Sequence, residues 1–259
     1  MTMLSVNDIA VWGITHPWAS PDQVEQDLLL SRAICAIAAD DYLGHELVFR
    51  GGTALHKLHL PRPLRYSEDL DYVRTTAGGI KPLTESLLDL GRSLGFDVAS
   101  RISENPKFYW RTISQAGTRL RLKIEINTHE RSPSLPFAEL PHRVVSPWWT
   151  GEANVLTFQL PELIATKLRA LYQRSKGRDL FDMWLALTQT KLNPDDVVGA
   201  FDPYRPVGYT AKIAIANLNA KLANQDFRHD IDQLAAQPPI PYDPDTAAEL
   251  IFTKLLTKL

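Results

Sequence analysis

Several ingredients are scarce in this chain of 259 residues, and each scarcity removes a class of protein. There is a single cysteine, Cys35, so no intrachain disulfide can form. Cys35 sits in an apolar run and reads as a small buried hydrophobe, in keeping with a reducing compartment. No stretch is long and apolar enough to span a bilayer, and the first residues lack the basic-then-apolar pattern of a leader. The expectation is a cytoplasmic protein with no membrane role. Charge of one sign is also missing: the formal net charge is −2, so no global basic field advertises nucleic-acid binding. No glycine-rich loop ends in Gly-Lys-Ser/Thr, which disfavours a P-loop NTPase, and no Gly-x-Ser-x-Gly elbow occurs. His56 and His59 are spaced like ligands on a helix face, but no companion motif supports zinc.

What is present centres on Phe49-Arg50-Gly51-Gly52-Thr53-Ala54-Leu55 and the later Arg65-Tyr66-Ser67-Glu68-Asp69-Leu70-Asp71. Leu47 to Phe49 suit a buried strand, and Gly51-Gly52 marks a sharp turn where a missing Cβ lets backbone approach a ligand. Thr53 is expected to cap the helix from Ala54 to about Leu58, whose free N–H groups favour a phosphate. Asp69 and Asp71 are two apart, so a strand places both carboxylates on one face. Paired acids repel unless a cation lies between them, and hard divalent metals prefer such oxygens. In Leu120-Arg121-Leu122-Lys123-Ile124-Glu125-Ile126 the apolar residues belong to the core, while Arg121, Lys123 and Glu125 share the other face. Glu125 is the candidate third acid; taken alone it is equally well a charge facing water.

The surrounding pattern is an α/β (α+β) fold: a mixed sheet flanked by helices, then a helical C-terminal region. The expected division is an α/β domain over 1–159 and a helical domain over 160–259 that completes the cleft. Ser20-Pro21-Asp22-Gln23 carries a capping box and opens a deeply buried helix to about Tyr42. A shorter helix is expected from Ser5-Val6-Asn7-Asp8. Strands follow at 96–102, 107–113 and 119–127, with edge strands at 142–146 and 154–158. Phe108, Tyr109 and Trp110 alternate faces, and core filling outranks base stacking for them. From Leu160 the period becomes helical, with helices expected over 160–176, 178–188, 195–201, 209–222, 226–235 and 245–259.

The motifs Gly51-Gly52-Thr53-Ala54-Leu55 and Arg65-Tyr66-Ser67-Glu68-Asp69-Leu70-Asp71 resemble the opening motifs of the AbiEii family of minimal nucleotidyltransferase toxins. That family includes the MenT toxins of type IV-like toxin–antitoxin pairs. The run Lys167 to Asp182 resembles its third motif, with a helical Lys167, Ala170 and Arg174, then Arg178-Asp179 and Asp182. The likeness covers roughly Leu47 to Leu187. It implies a polymerase-β-like mechanism in which Asp69 and Asp71 hold Mg²⁺ or Mn²⁺ and Glu125 helps the attacking hydroxyl. Most known relatives place Asp at that third position. Gly51, Gly52, Thr53, Ser67, Lys167 and Arg174 are the implied nucleotide and phosphate binders. Asp179 is implied in catalysis, although a first-turn acid that orders Lys167 or Arg174 by an ion pair is an equal reading. Ser67, two residues before Asp69, is a modification site in some members.

The resemblance implies an NTP as donor, an RNA as acceptor (a tRNA acceptor end first), a cognate antitoxin, and growth arrest as outcome. Arg62, Arg65, Arg121, Lys123, Lys176 and Arg178 are weaker candidates for RNA contact, each otherwise a solvated charge. Two other classes share these residues. A kinase-like enzyme uses the same metal acids but releases a nucleoside diphosphate. A non-catalytic RNA- or protein-binding module would retain the cleft without its chemistry.

Overall fold

Ser20 N–H donates to Gln23 Oε1 and Gln23 N–H donates to Ser20 Oγ, while Pro21 follows at the first helical position. This reciprocal cap opens α2 (Pro21–Ala39), the long helix expected there. The same device at Ser5 and Asp8 opens α1 (Val6–Thr15). The computed structural model describes residues 4–259. After α3 (Leu43–Glu46) come β1 (Leu47–Arg50), α4 and β2 (Asp69–Arg74). Helix α4 runs Gly51–Ala54 and continues through one π turn, Leu55–His59. Then follow α5 (Lys81–Ser93), β3 (Asp97–Arg101), β4 (Lys107–Ile113), β5 (Arg119–Asn127), β6 (Ala138–Val145) and β7 (Thr150–Thr157). The C-terminal part is helical: α6 (Leu160–Gln173), α7 (Gly177–Gln189), α8 (Pro194–Ala200), α9 (Ala211–Leu222), α10 (Gln225–Arg228) and α11 (Pro244–Lys254). No helix among the described residues is long and apolar enough to cross a membrane.

The seven strands form one mixed sheet in the order β3-β4-β5-β2-β1-β7-β6. β2 pairs antiparallel with β1 and parallel with β5, so it lies at the centre. Its alternation decides the layers. Leu70 and Tyr72 face a core built with α1, α2 and α5, joined by Phe49, Phe108, Trp110, Leu122 and Ile124. Val73, with Val48 opposite it on β1, faces a second core built with the C-terminal helices. Asp69 and Asp71 share Val73's face, beyond the end of that cover. Cys35 is buried against the first core, and burial pushes its thiol up to about 11.

Three local expectations change. β6 and β7 form a longer hairpin than the pattern suggested, and β7 lies beside β1 rather than at an edge. Pro141 falls on β6, the true edge strand, where its missing N–H breaks no ladder. The helix expected over 226–235 stops at Arg228. Its continuation is diverted by backbone bonds to the loop before β2: Tyr66 N–H donates to Leu234 O, and Ala236 N–H to Leu64 O. Finally, Thr53 is not a cap, because α4 already begins at Gly51. Its buried hydroxyl donates to Asp69 O at 2.5 Å and lies 2.9 Å from Ser67 Oγ, from which it can accept, tying α4 to the strand that carries the acids.

Gly177, which the sequence reading used only as a helix break, is the first residue of α7 and packs backbone to backbone. A Cβ there would lie 1.9 Å from the Phe227 carbonyl oxygen. Gly177→Ala is therefore expected to lower unfolding free energy by about 1–3 kcal/mol, the usual range for overpacking. Urea denaturation followed by tryptophan fluorescence measures this.

Candidate active site

The acids meet because β2 and β5 run parallel in register, with Asp71 beside Glu125 and Asp69 beside Lys123. Arg50 on β1 lies across from Asp71. Burial first, then the neighbouring Asp69, raises the Asp71 carboxyl above its ordinary value, while Arg50 opposes the shift. The Lys123 ammonium sits 3.0 Å from Asp69 Oδ2 and 3.0 Å from Glu125 Oε2. These carboxylates outweigh its burial and hold its pKa up. Among the described residues, no group of three or more His, Cys, Asp or Glu side chains is arranged to ligate a metal ion. Lys123 is the local countercharge to Asp69 and Glu125.

The diglycine turn is required by these acids. Gly51 has φ +82°, and a Cβ on it would lie 2.4 Å from Asp71 Oδ2. A Cβ on Gly52 would lie 2.4 Å from Arg65 Nη2 and 3.1 Å from Ser67 Oγ. No side chain caps the first turn of α4, and both glycines line the cleft beside Asp71. Backbone N–H donors and a carboxylate thus lie side by side, which suits a phosphate flanked by cations.

Helices α6 and α7 bring the positive wall. Lys167 is 5% exposed, and its Nζ lies 2.7 Å from Asp182 Oδ2 and 3.2 Å from Asp179 Oδ1. Arg174 donates to Asp179 through Nε at 2.7 Å and Nη2 at 2.9 Å. Burial pushes the Asp179 carboxyl up, but Lys167 and Arg174 outweigh it and hold the group below its ordinary value. Asp179 is wholly buried and ion-paired to both cations, the geometry of the positioning role read for it from its place in the first turn.

Asp182, to which the sequence assigned no role, is the hub. Arg65 grips it through Nε and Nη2, both at 2.7 Å, and His56 Nε2 lies 3.0 Å away. Burial lowers the His56 pKa to about 4, so the neutral imidazole donates to the carboxylate. Arg65, 3% exposed, is committed to this cluster and is not the surface RNA contact expected from sequence. In the sequence Asp182 stood out only as the last acid of the third motif, three residues after Asp179.

Glu130 was also missed. Its carboxylate clamps Arg50 and Arg169, each at 2.5 Å, and both arginines line the cleft. Burial raises its pKa, but Arg169 and Arg50 prevail and bring it to about 2. The resulting cleft encloses about 300 Å³ between Gly51, Asp71, Glu125, Lys167, Arg169 and Arg174. A second recess shares Asp71, Lys167 and Arg174 and reaches Ser67, Asp69 and Arg178. Lys176 and Arg178 gather instead around Asp230, at 4.0 and 3.4 Å. Arg62 is exposed on the loop after α4, and Arg121 is exposed on β5.

A seven-stranded mixed sheet with strand-borne acids, a diglycine turn and a cationic helix defines a nucleotidyltransferase-like centre. The family described as "Nucleotidyl transferase AbiEii toxin, Type IV TA system" matches residues 32–250. The chain belongs to this AbiEii family: it is a nucleotidyltransferase toxin of a toxin–antitoxin system. Membership implies a nucleotide substrate and an antitoxin partner. Among solved structures, MenT4, a nucleotidyltransferase toxin from Mycobacterium tuberculosis, shares the fold with a TM-score of 0.66 at 17% identity. That alignment covers 99% of this chain and 91% of MenT4. A nucleotidyltransferase-like protein from Paracoccidioides brasiliensis is 16% identical over 90% of this chain and 94% of its own, with a TM-score of 0.38. The CD-NTase CdnG of Bradyrhizobium diazoefficiens, solved with GTP, is 14% identical over 97% and 90%, with a TM-score of 0.30. No curated protein matches the sequence.

Two outcomes follow from the buried charges. Asp182→Ala leaves Arg65 and Lys167 short of a carboxylate and is expected to cost about 3–5 kcal/mol of stability. Denaturant titration measures the loss. Glu130 has a folded pKa below its unfolded value, so its stabilisation is present above about pH 4.5 and disappears as pH falls toward about 2. Glu130→Gln should therefore flatten the decline of melting temperature across that window relative to the unaltered protein.

Proposed function

We propose that this toxin transfers a nucleoside monophosphate from an NTP to the 3′ end of an RNA, with a tRNA acceptor end as first candidate. The observation that carries this reading is the contact between Gly51 and Asp71: phosphate-binding backbone and acid are adjacent by construction. In the reaction, the RNA 3′-hydroxyl oxygen forms a bond to the α-phosphorus. The bond from that phosphorus to the bridging oxygen breaks in line, and pyrophosphate leaves. Glu125, on the strand beside Asp71, receives the hydroxyl proton. Gly51 and Gly52 N–H groups bind the β- and γ-phosphates. Lys167 and Arg174, held by Asp179 and Asp182, meet the charge that builds on the departing pyrophosphate. Arg50 and Arg169, fixed by Glu130, give the cleft a positive floor that suits a polyanionic donor.

Asp69 and Asp71 fit a divalent cation, Mg²⁺ or Mn²⁺, because they are hard oxygen donors on one strand face beside the cleft. When bound, such a cation polarises phosphate oxygens and neutralises their charge. Thr53 is withdrawn from the phosphate binders, since its hydroxyl is committed to Asp69 O and Ser67. We divide the chain as an α/β domain over 1–159 and a helical domain over 160–259 that completes the cleft. Action in the cytoplasm, where tRNA and NTP are abundant, accords with this chemistry.

The test is incubation with total RNA, Mg²⁺ and each labelled NTP in turn. Label on a small RNA from one NTP, with pyrophosphate released, is the expected result. Release of nucleoside diphosphate would instead identify γ-phosphoryl transfer. Asp69→Ala and Asp71→Asn should each lower transfer by at least about 100-fold with folding intact. Gly51→Ala should do likewise, because the added Cβ collides with Asp71 and strains the turn.

A further inference from the structure

The sheet face that carries the acids continues across β5, β4 and β3. The strand registers place Arg119, Arg121 and Lys123 on it from β5, Lys107 and Arg111 from β4, and Arg101 from β3. Glu125 and Asp97 are the acids on these three strands' share of that face, so six cations stand against two carboxylates. None of these side chains is buried. The opposite face, with Phe108, Trp110, Leu122 and Ile124, is core. The C-terminal helices cover Val48 and Val73 on the acid-bearing face, yet their core includes no residue of β3, β4 or β5. This part of the face is therefore uncovered and basic within a chain whose net charge is −2.

Its centre is an aromatic ring with two guanidinium groups close by. Arg121 Cζ lies 5.4 Å from the Tyr109 ring centroid, and Arg111 Cζ lies 5.8 Å from it. Arg101, Arg119 and Arg121 have no salt-bridge partner among the described residues, while Arg111 has only a loose one, Asp97 at 3.8 Å. A groove of about 670 Å³ lies at the end of this face, where Arg111, Arg119 and Arg121 line it together with Gln26, Glu68 and Asp97. From Glu125 to Arg119 the strand spans roughly 20 Å, room for several nucleotides. Unpaired cations bind a polyanion's backbone, and an aromatic flanked by arginines stacks bases without regard to sequence. A face on which arginines and lysines outnumber carboxylates fits a nucleic-acid strand.

We propose that the uncovered face of β3, β4 and β5 is the track along which a single-stranded RNA 3′ end reaches Asp69 and Asp71, with Tyr109, Arg111 and Arg121 at its centre. The choice of occupant rests on the nucleotidyl-transfer reading; the surface itself is tested by binding without catalysis. The probe is a 5′-fluorescein-labelled single-stranded oligoribonucleotide, followed by anisotropy in EDTA over a range of KCl. The Arg111→Glu/Arg121→Glu double variant is expected to weaken binding at least about tenfold and to reduce the salt slope by about 2. Tyr109→Ala should weaken binding about fivefold or more while leaving the salt slope unchanged. In transfer assays both variants should raise KM for RNA with kcat and KM for NTP near those of the unaltered protein. Melting temperatures check that the exposed substitutions leave the fold intact.

Unchanged RNA affinity and unchanged KM for RNA in the folded double variant would overturn the track while leaving the transferase reading in place. Loss of antitoxin binding with RNA binding unaffected would also overturn it, assigning the face to a protein. RNA binding that falls in the variants, from a protein that transfers no nucleotide to any RNA, would uphold the track and overturn the transferase reading.

Discussion

One buried carboxylate holds the two halves of the cleft together. Asp182 on α7 accepts from Arg65, which precedes β2, from His56 in α4 and from Lys167 on α6. Those three elements carry, respectively, the approach to the acids, the diglycine turn and the cationic wall. A charge with no exposure is tolerable only when its partners surround it, and here the partners come from three separate elements around the site. The cluster has a positioning role: its ion pairs orient Lys167, which lines the cleft, without placing Asp182 in the cleft itself.

Around this hub the sheet does unequal work on its two faces. One is filled along its length by α2, α5 and their apolar partners. The other is filled only at Val48 and Val73 and then left open. The acids occupy the border between covered and uncovered strand. Burial there raises the Asp71 carboxyl, while openness leaves room for a substrate. Glu130 stiffens the rim by fixing Arg50 and Arg169, so the cleft is lined with cations that are already held in place.

Local patterns were legible wherever the chain's own spacing determined the outcome. The helix start at Ser5, the capping box at Ser20, the alternation of β5 and the Asp69–Asp71 spacing involve neighbours within a few residues. The end of α10 was not legible, because its continuation is set by bonds to Leu64 and Tyr66, far away in sequence. Tyr109 shows the same limit. Its strand alternation was evident, but its place between Arg111 and Arg121 depends on strand pairing and on the absence of a covering helix. Arg65 read as a surface cation because its partner Asp182 is 117 residues away.

The sequence by itself determined the class of fold, the diglycine turn and the strand face shared by Asp69 and Asp71. These follow from periods of two and 3.6 and from the one residue that tolerates φ +82° at Gly51. Tertiary structure alone decided which charges are sequestered and which are offered to a ligand. Lys123 became a countercharge, Asp179 and Arg65 became supports, and Arg111 and Arg121 stayed exposed on an open face. The reason is electrostatic: a charged side chain's role depends on what lies within a few ångströms of it, and those neighbours come from distant parts of the chain.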